Sequence, residues 1–375
     1  MGIKGTEIGK GLDIEGLCWI YKFGWLRSSE IGRLLWPGSE HSEKYGQRIC
    51  RKWNSRPRWY VIKRRLPYGA GAAYLLSEAG VRFLEVHGIS ARGGKGKDWG
   101  ETIPKIKKEN KFKKSNAHSE IKEERAVDWL PPSTWMHDLR SASLLALLYE
   151  RGHEIMTELE IKRIAPGLAK IPDGLIKIKG SQTVCWLEVE RSIKTGKFLD
   201  ELIKAIINVA NKKSPIIGSW SAATEVILAF SEEDKDSRGF NLSHQHRIIN
   251  AIKSTSRVDI SITLIKLRMA GFKVENISAE KETIKADKVE LILKKMKWHQ
   301  ESSGVVWCRI PPYLSTIKRN NEKLWIAEVF DAADNRPEWQ RIESIEPRLI
   351  FNSTWHTITE AKRSCASAVS RMIDI

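Results

Sequence analysis

No stretch of this sequence approaches the roughly 18 consecutive apolar residues of a membrane span. The opening segment, MGIKGTEIGKGLDIEG, has no apolar core of the kind a secretory signal carries. Cysteine is scarce. Cys18, Cys50, Cys185, Cys308 and Cys365 are scattered, odd in number, and form no C-x-x-C pair. That argues against a zinc site and for a reducing compartment. These absences lead to the expectation of a cytoplasmic protein with no membrane partner. An excess of acid is missing too: 63 Lys and Arg stand against 46 Asp and Glu, +17 overall with a pI near 9.6, which favours an acidic polymer as partner.

What is present is unevenly placed. Residues 1–116 hold 24 Lys and Arg against 11 Asp and Glu, a net +13. Within them, residues 12–86 read as a winged-helix DNA-binding domain. A first helix is marked by Ile14, Leu17, Cys18, Tyr21 and Leu26, and a second runs from Ser28-Ser29-Glu30 towards Pro37. A third, over about Glu43–Trp53, carries Lys44, Arg48, Arg51 and Lys52, and a hairpin with Lys63, Arg64 and Arg65 follows. A basic helix beside a basic hairpin suits a major-groove reader. A protein-binding winged helix is the alternative, and the charge favours double-stranded DNA. Residues 87–134, rich in Gly and Lys, read as a basic linker, either a plain tether or a source of sequence-independent phosphate contacts.

Residues 171–204 are the stretch around which the rest is arranged. Gly174–Ile178 and Val184–Val189 have strand composition, with a turn at Lys179–Gln182, and from Thr195 the apolar spacing becomes helical. Asp173 opens the first strand. Glu188 and Glu190, two apart on the second, share one face. A hairpin brings Asp173 alongside them, and clustered carboxylates at strand ends suit a hard divalent cation. The plainer alternative is a hairpin with solvated acids.

The phrase Pro172-Asp173-Gly174, thirteen residues, then Glu188-Val189-Glu190 and a helix resembles the PD-(D/E)XK nucleases. The resemblance implies that Asp173 and Glu188 hold Mg²⁺ (or Mn²⁺) and that the third position helps activate water. That position is Glu190 where the family usually has Lys. Lys194, Lys197 and Lys204 are then available to supply the positive charge, and the implied catalytic set is Asp173, Glu188, Glu190 and Lys204.

Residues 135–280 follow the order helix, acid-bearing strands, helix, strand, helix, strand, as expected of an α/β sheet covered by helices. "HEIMTELEI" before the acidic unit reads as a strand or bend. Glu150, Glu158 and Glu160 are candidates for a further metal-site acid, each more simply read as a surface glutamate. His137 reads as a helix-start residue, and His244 and His246, two apart, make a poor metal pair on a helix. Residues 281–375 form a small α+β module, with a basic amphipathic helix and a strand meander closed by a helix from about Thr357. It suits nucleic-acid or protein contacts equally.

His137-Asp138-Leu139, Pro172-Asp173-Gly174 and Glu188-Val189-Glu190, behind a winged helix, also resemble the plasmid replication-relaxation family. That implies handling of plasmid or mobile-element DNA. The expectation is thus a multidomain α/β DNA-binding protein acting as a Mg-dependent endonuclease or nickase. The alternative is a non-catalytic replication or mobilisation factor with a nuclease-like scaffold. A homodimer or partner proteins of a mobile-element machinery fit either.

Overall fold

A computed structural model describes residues 5–55, 57–91, 131–191, 195–231, 243–256, 259–310, 313–320, 322–331 and 348–373. The fold is mixed α/β, with ten helices and three sheets among the described residues. Most of the 87–134 segment lies outside the described residues, as do Lys194 and Pro311-Pro312. The chain divides into two compact units: residues 1–245 with 261–282, and residues 246–260 with 283–375. Among the described residues, no helix is long and apolar enough to cross a membrane.

The first unit begins α1 (Gly5–Phe23), β1 (Leu26–Arg27), α2 (Ser28–Leu35), α3 (Ser42–Trp53), β2 (Val61–Arg65), β3 (Ala72–Leu76) and α4 (Glu78–Val86). β3 is central in a three-stranded antiparallel sheet, pairing Leu26 with Tyr74 on one side and Lys63 with Tyr74 on the other. Seven of the eight residues of α2 are buried, because α1 and α3 both pack on it. α2 and α3 meet backbone to backbone. A Cβ on Gly46 would stand 2.0 Å from the Ser28 carbonyl oxygen, and one on Gly32 would stand 2.2 Å from that of Ser42. Only glycine allows this approach. α4 is capped by Ser77, whose hydroxyl accepts from Gly80 N at 3.0 Å.

A six-stranded sheet follows, with its strands in sequence order: β4 (Glu154–Thr157), β5 (Gly174–Lys177), β6 (Val184–Glu190), β7 (Glu225–Ser231), β8 (Ile260–Ala270) and β9 (Lys273–Ile284). The first three are antiparallel, and β6, β7 and β8 are parallel. α5 (Trp135–Glu150) precedes the sheet, α6 (Glu158–Ile164) links β4 to β5, and α7 (Gly196–Ala210) links β6 to β7. Alternation along β6 sends Cys185, Leu187 and Val189 into one core with Leu139, Leu144 and Leu145 of α5. Trp186, Glu188 and Glu190 take the other face. The segment expected as a strand or bend is β4 followed by α6, whose start is fixed by a capping box between Thr157 and Glu160.

The N-terminal elements and this sheet share one hydrophobic core. Backbone carbonyls of β9 and its approach accept from two arginines: Arg27 Nη2 reaches Phe272 O at 3.1 Å and Arg33 Nη1 reaches Val274 O at 2.8 Å. Arg163 donates to Tyr21 O at 3.1 Å, and Thr157 Oγ1 to Lys22 O at 2.6 Å.

Arg27 also grips Glu30 with two nitrogens, at 3.0 and 2.7 Å. Burial alone would raise the Glu30 pKa, but the Arg27 charge and its hydrogen bonds outweigh burial and hold it below the usual glutamate range. The folded pKa is below the unfolded one, so the stabilisation is complete above the unfolded value and is lost as pH falls through the folded value. Melting curves of Glu30→Gln and the unaltered protein are therefore expected to differ at neutral pH and converge in acid.

The second unit is a five-stranded antiparallel sheet, β10 (His299–Gln300), β11 (Val306–Ile310), β12 (Tyr313–Arg319), β13 (Trp325–Asp331) and β14 (Arg348–Trp355), with its strands in sequence order. α9 (Lys288–Lys295) and α10 (Ile358–Met372) supply Ile292, Cys365, Ala368 and Val369 to a core with Val306, Ile317 and Val329. Most of α8 (Ser243–Lys253) belongs here as well. Thr357 caps α10 with a capping box, matching the helix start expected from sequence.

Candidate nucleic-acid interface and acidic cluster

α3 buries Gly46, Ile49, Cys50 and Trp53 and turns Lys44, Arg48 and Arg51 outward. Their i, i+4, i+7 spacing puts the three cations in one row. On β2, alternation exposes Lys63 and Arg65 and turns Arg64 inward, where it is half-buried, donates to Lys63 O at 2.8 Å, and has its pKa lowered by burial. Helix and hairpin are near enough for their charges to be felt across the gap. The Lys63 charge reaches the Cys50 thiol of α3, and the Arg51 charge reaches Tyr74, the register partner of Lys63. Burial pushes the Tyr74 hydroxyl up to about 12. All five cysteines are free, and four of them are buried.

Lys52 does not join the row. Its ammonium is held on Asp13 at 2.9 and 3.1 Å, and the same carboxylate accepts from Trp53 Nε1 at 2.7 Å and pairs with Arg58 at 3.6 Å. Asp13 is itself buried, so it draws the nearest cation inward. Lys52 is a fastener between α1 and α3. Lys52→Ala is accordingly expected to lower the melting temperature while leaving the salt slope of duplex binding unchanged. Arg51→Ala is expected to reduce that slope by roughly 0.9. Melting curves and anisotropy titrations across salt read the two effects separately.

At the other site, Glu188 of β6 is completely buried. Asp173 lies just before β5, where Gly174 is pinched between Leu145 and the Met156 carbonyl. Its Oδ1 accepts from His137 Nε2 at 2.9 Å and its Oδ2 from Val189 N at 2.7 Å. Glu188 Oε1 accepts from Trp186 Nε1 at 2.8 Å, and its Oε2 takes the Lys170 ammonium at 2.7 Å. Burial would raise the Asp173 pKa, but His137, Lys170 and the Val189 amide hold it well below the usual carboxylate range. Burial would lower the Lys170 pKa, yet the charges of Glu188, Asp173 and Glu190 outweigh it and the net shift is upward. One ammonium thus feels all three acids.

Among the described residues, a positive charge at the acids comes from Lys170, three residues before Asp173. Lys204 is exposed on α7, whose buried face carries Leu202, Ile203, Ile206 and Val209, and Lys197 is exposed beside Glu201. Lys194 lies outside the described residues. Glu150 pairs with Arg33 at 3.6 Å, and Glu160 closes the α6 cap and pairs with Lys22 at 3.1 Å, so both are structural. Glu158 lines a small cavity with Asp173 and Asp138. That cavity is about 20 Å³, far below the roughly 300–1,000 Å³ of small-molecule pockets. His137 is a site residue, and the "HDL" phrase was its signal. His246 is exposed.

As placed, a divalent ion of the kind the nuclease resemblance implies would have to share Glu188 Oε2 with the Lys170 ammonium. Each oxygen of Asp173 and Glu188 already accepts from a protein donor, and an ion against Glu188 Oε2 would meet the Lys170 ammonium. Among the described residues, no three or more His, Cys, Asp or Glu side chains are grouped to hold a metal. No family model, no curated protein and no solved structure matches the chain.

Proposed function

We propose that this protein binds double-stranded DNA through α3 and the β2–β3 hairpin, as a replication or mobilisation factor of plasmid or mobile-element type. The observation that carries this is the exposed row Lys44, Arg48, Arg51 on α3, in the same unit as the exposed Lys63 and Arg65 of β2. The element order α1-β1-α2-α3-β2-β3, with strand order β1-β3-β2, supports a winged-helix reading. Arg48 and Arg51 then face base edges or phosphates, and Lys63 and Arg65 the neighbouring backbone. Anchoring of the N-terminal elements on β9 supports use of the six-stranded sheet as a rigid scaffold.

A second reading, Mg-dependent cleavage, is favoured by one observation: Asp173, held by Val189 N of β6, lies beside the strand that carries Glu188, and a lysine, Lys170, sits on Glu188 at 2.7 Å. The order α5-β4-α6-β5-β6-α7-β7 supports a PD-(D/E)XK-like core. In that reading Lys170 must leave Glu188 before Mg²⁺ enters. Incubating purified protein with supercoiled plasmid and Mg²⁺ or Mn²⁺, beside a metal-free control, separates the two. The scaffold reading expects retarded but intact plasmid in every lane. Metal-dependent nicking that Asp173→Asn abolishes would establish the second reading.

A further inference from the structure

We propose that Tyr68, at the turn of the β2–β3 hairpin, is a stacking point for an unpaired base, so that the protein prefers DNA carrying unpaired nucleotides to an uninterrupted duplex. This rests on the DNA-binding reading above and adds the kind of DNA selected. Residues 61–76 carry Lys63, Arg64 and Arg65 and no acid. At their turn the Tyr68 side chain is left 82% exposed. The turn that presents it is fixed. Leu66 N donates to Gly71 O at 2.9 Å, Ala70 N to Pro67 O at 3.1 Å, and Arg27 Nη1 to Ala70 O at 3.4 Å. Leu66 and Ala70, on either side of the tyrosine, are buried. Tyr68 itself has a φ of 55°, which residues with a Cβ seldom adopt. The ring thus stands on a rigid support, and little freedom is lost when a ligand covers it. Its aromatic neighbour, Trp135, is near-parallel at 19° with ring centroids 6.4 Å apart, yet this contact leaves Tyr68 mostly in solvent. An aromatic ring among cations suits single-stranded nucleic acid: the cations take phosphates and the ring takes the face of a base. Inside a duplex, neighbouring bases cover both faces of each base. A free face exists at a fork, a gap or an unpaired nucleotide, and that is what the ring selects.

The test titrates the full-length protein into two fluorescent DNAs at one salt concentration: a blunt duplex, and the same duplex ending in a fork of unpaired thymines. The unaltered protein is expected to bind the fork more tightly by roughly 5- to 150-fold, the equivalent of about 1–3 kcal/mol for one stacked base. Tyr68→Ala should bring the ratio of the two affinities close to one, and Tyr68→Phe, which keeps the ring, should preserve it. 2-Aminopurine at the first unpaired position should be quenched by the unaltered protein and by Tyr68→Phe, but not by Tyr68→Ala. If Tyr68→Ala melts below the unaltered protein, Tyr68→Gly takes its place, because glycine accepts a φ of 55° without strain. Equal binding of fork and duplex by the unaltered protein, or a fork preference that loss of the ring leaves intact, would overturn the proposal while the DNA-binding reading stands. Absence of binding to either DNA would overturn both.

Discussion

Gly46→Val is expected to lower the melting temperature of the first unit by on the order of 10 °C or more. A Cβ at position 46 would fall 2.0 Å from Ser28 O and 2.9 Å from Gly32 N, both backbone atoms of α2. Ordinary overpacking costs about 1–3 kcal/mol because neighbouring side chains can move. Here the obstacle is a helix backbone whose own residues are buried on almost every side, so α2 and α3 must separate. Circular-dichroism melts of Gly46→Val beside Gly9→Ala supply the comparison. Gly9 sits in α1 with nothing within 4 Å of its added Cβ, so its replacement should be neutral or raise the melting temperature through the roughly 1 kcal/mol helix preference of alanine.

The triple replacement of Lys44, Arg48 and Arg51 by alanine is expected to abolish most duplex binding without unfolding the protein. The three side chains are exposed, and the buried face of α3 is made by other residues. If each cation contacts one phosphate at about 0.9 per contact, the salt slope should shrink by roughly 2.7. If Arg48 or Arg51 instead reads a base, that single replacement should also cost roughly 1–3 kcal/mol of discrimination between sequences. Anisotropy titrations of one duplex at several salt concentrations, repeated with a scrambled duplex, separate the two contributions. An unchanged melting curve for the triple variant makes the loss interpretable.

Much of this layout was legible from local pattern. The switch from period two to period 3.6 after Glu190 marked β6 and α7, and period two alone put Glu188 and Glu190 on one face. Lys44, Arg48 and Arg51 are a row because they follow helical spacing. Thr157-x-x-Glu160 carries a capping-box signature in four letters, yet a helix as short as Glu158–Ile164 has little periodicity to support it. What escaped lies between residues with no fixed spacing. Lys52 was read as a surface cation because its partner, Asp13, is 39 positions away. Lys170 sits on an irregular segment before β5, and no period assigns a direction to such a side chain. The packing of the N-terminal elements on β9 rests on pairs such as Arg27 with Phe272, 245 positions apart. Glu150 and Glu160 were open as metal acids for the same reason: Arg33 and Lys22, their partners, are distant in sequence.

Binding of duplex DNA through α3 is tested most directly by one titration. A fluorescent duplex is titrated with the unaltered full-length protein from about 50 to about 200 mM salt, and log K is plotted against log salt. Saturable binding with a steep linear fall is the predicted result, and the line should flatten in the Lys44/Arg48/Arg51 variant. Absence of saturable binding at the lowest salt, or a slope that the triple replacement leaves untouched, would contradict it.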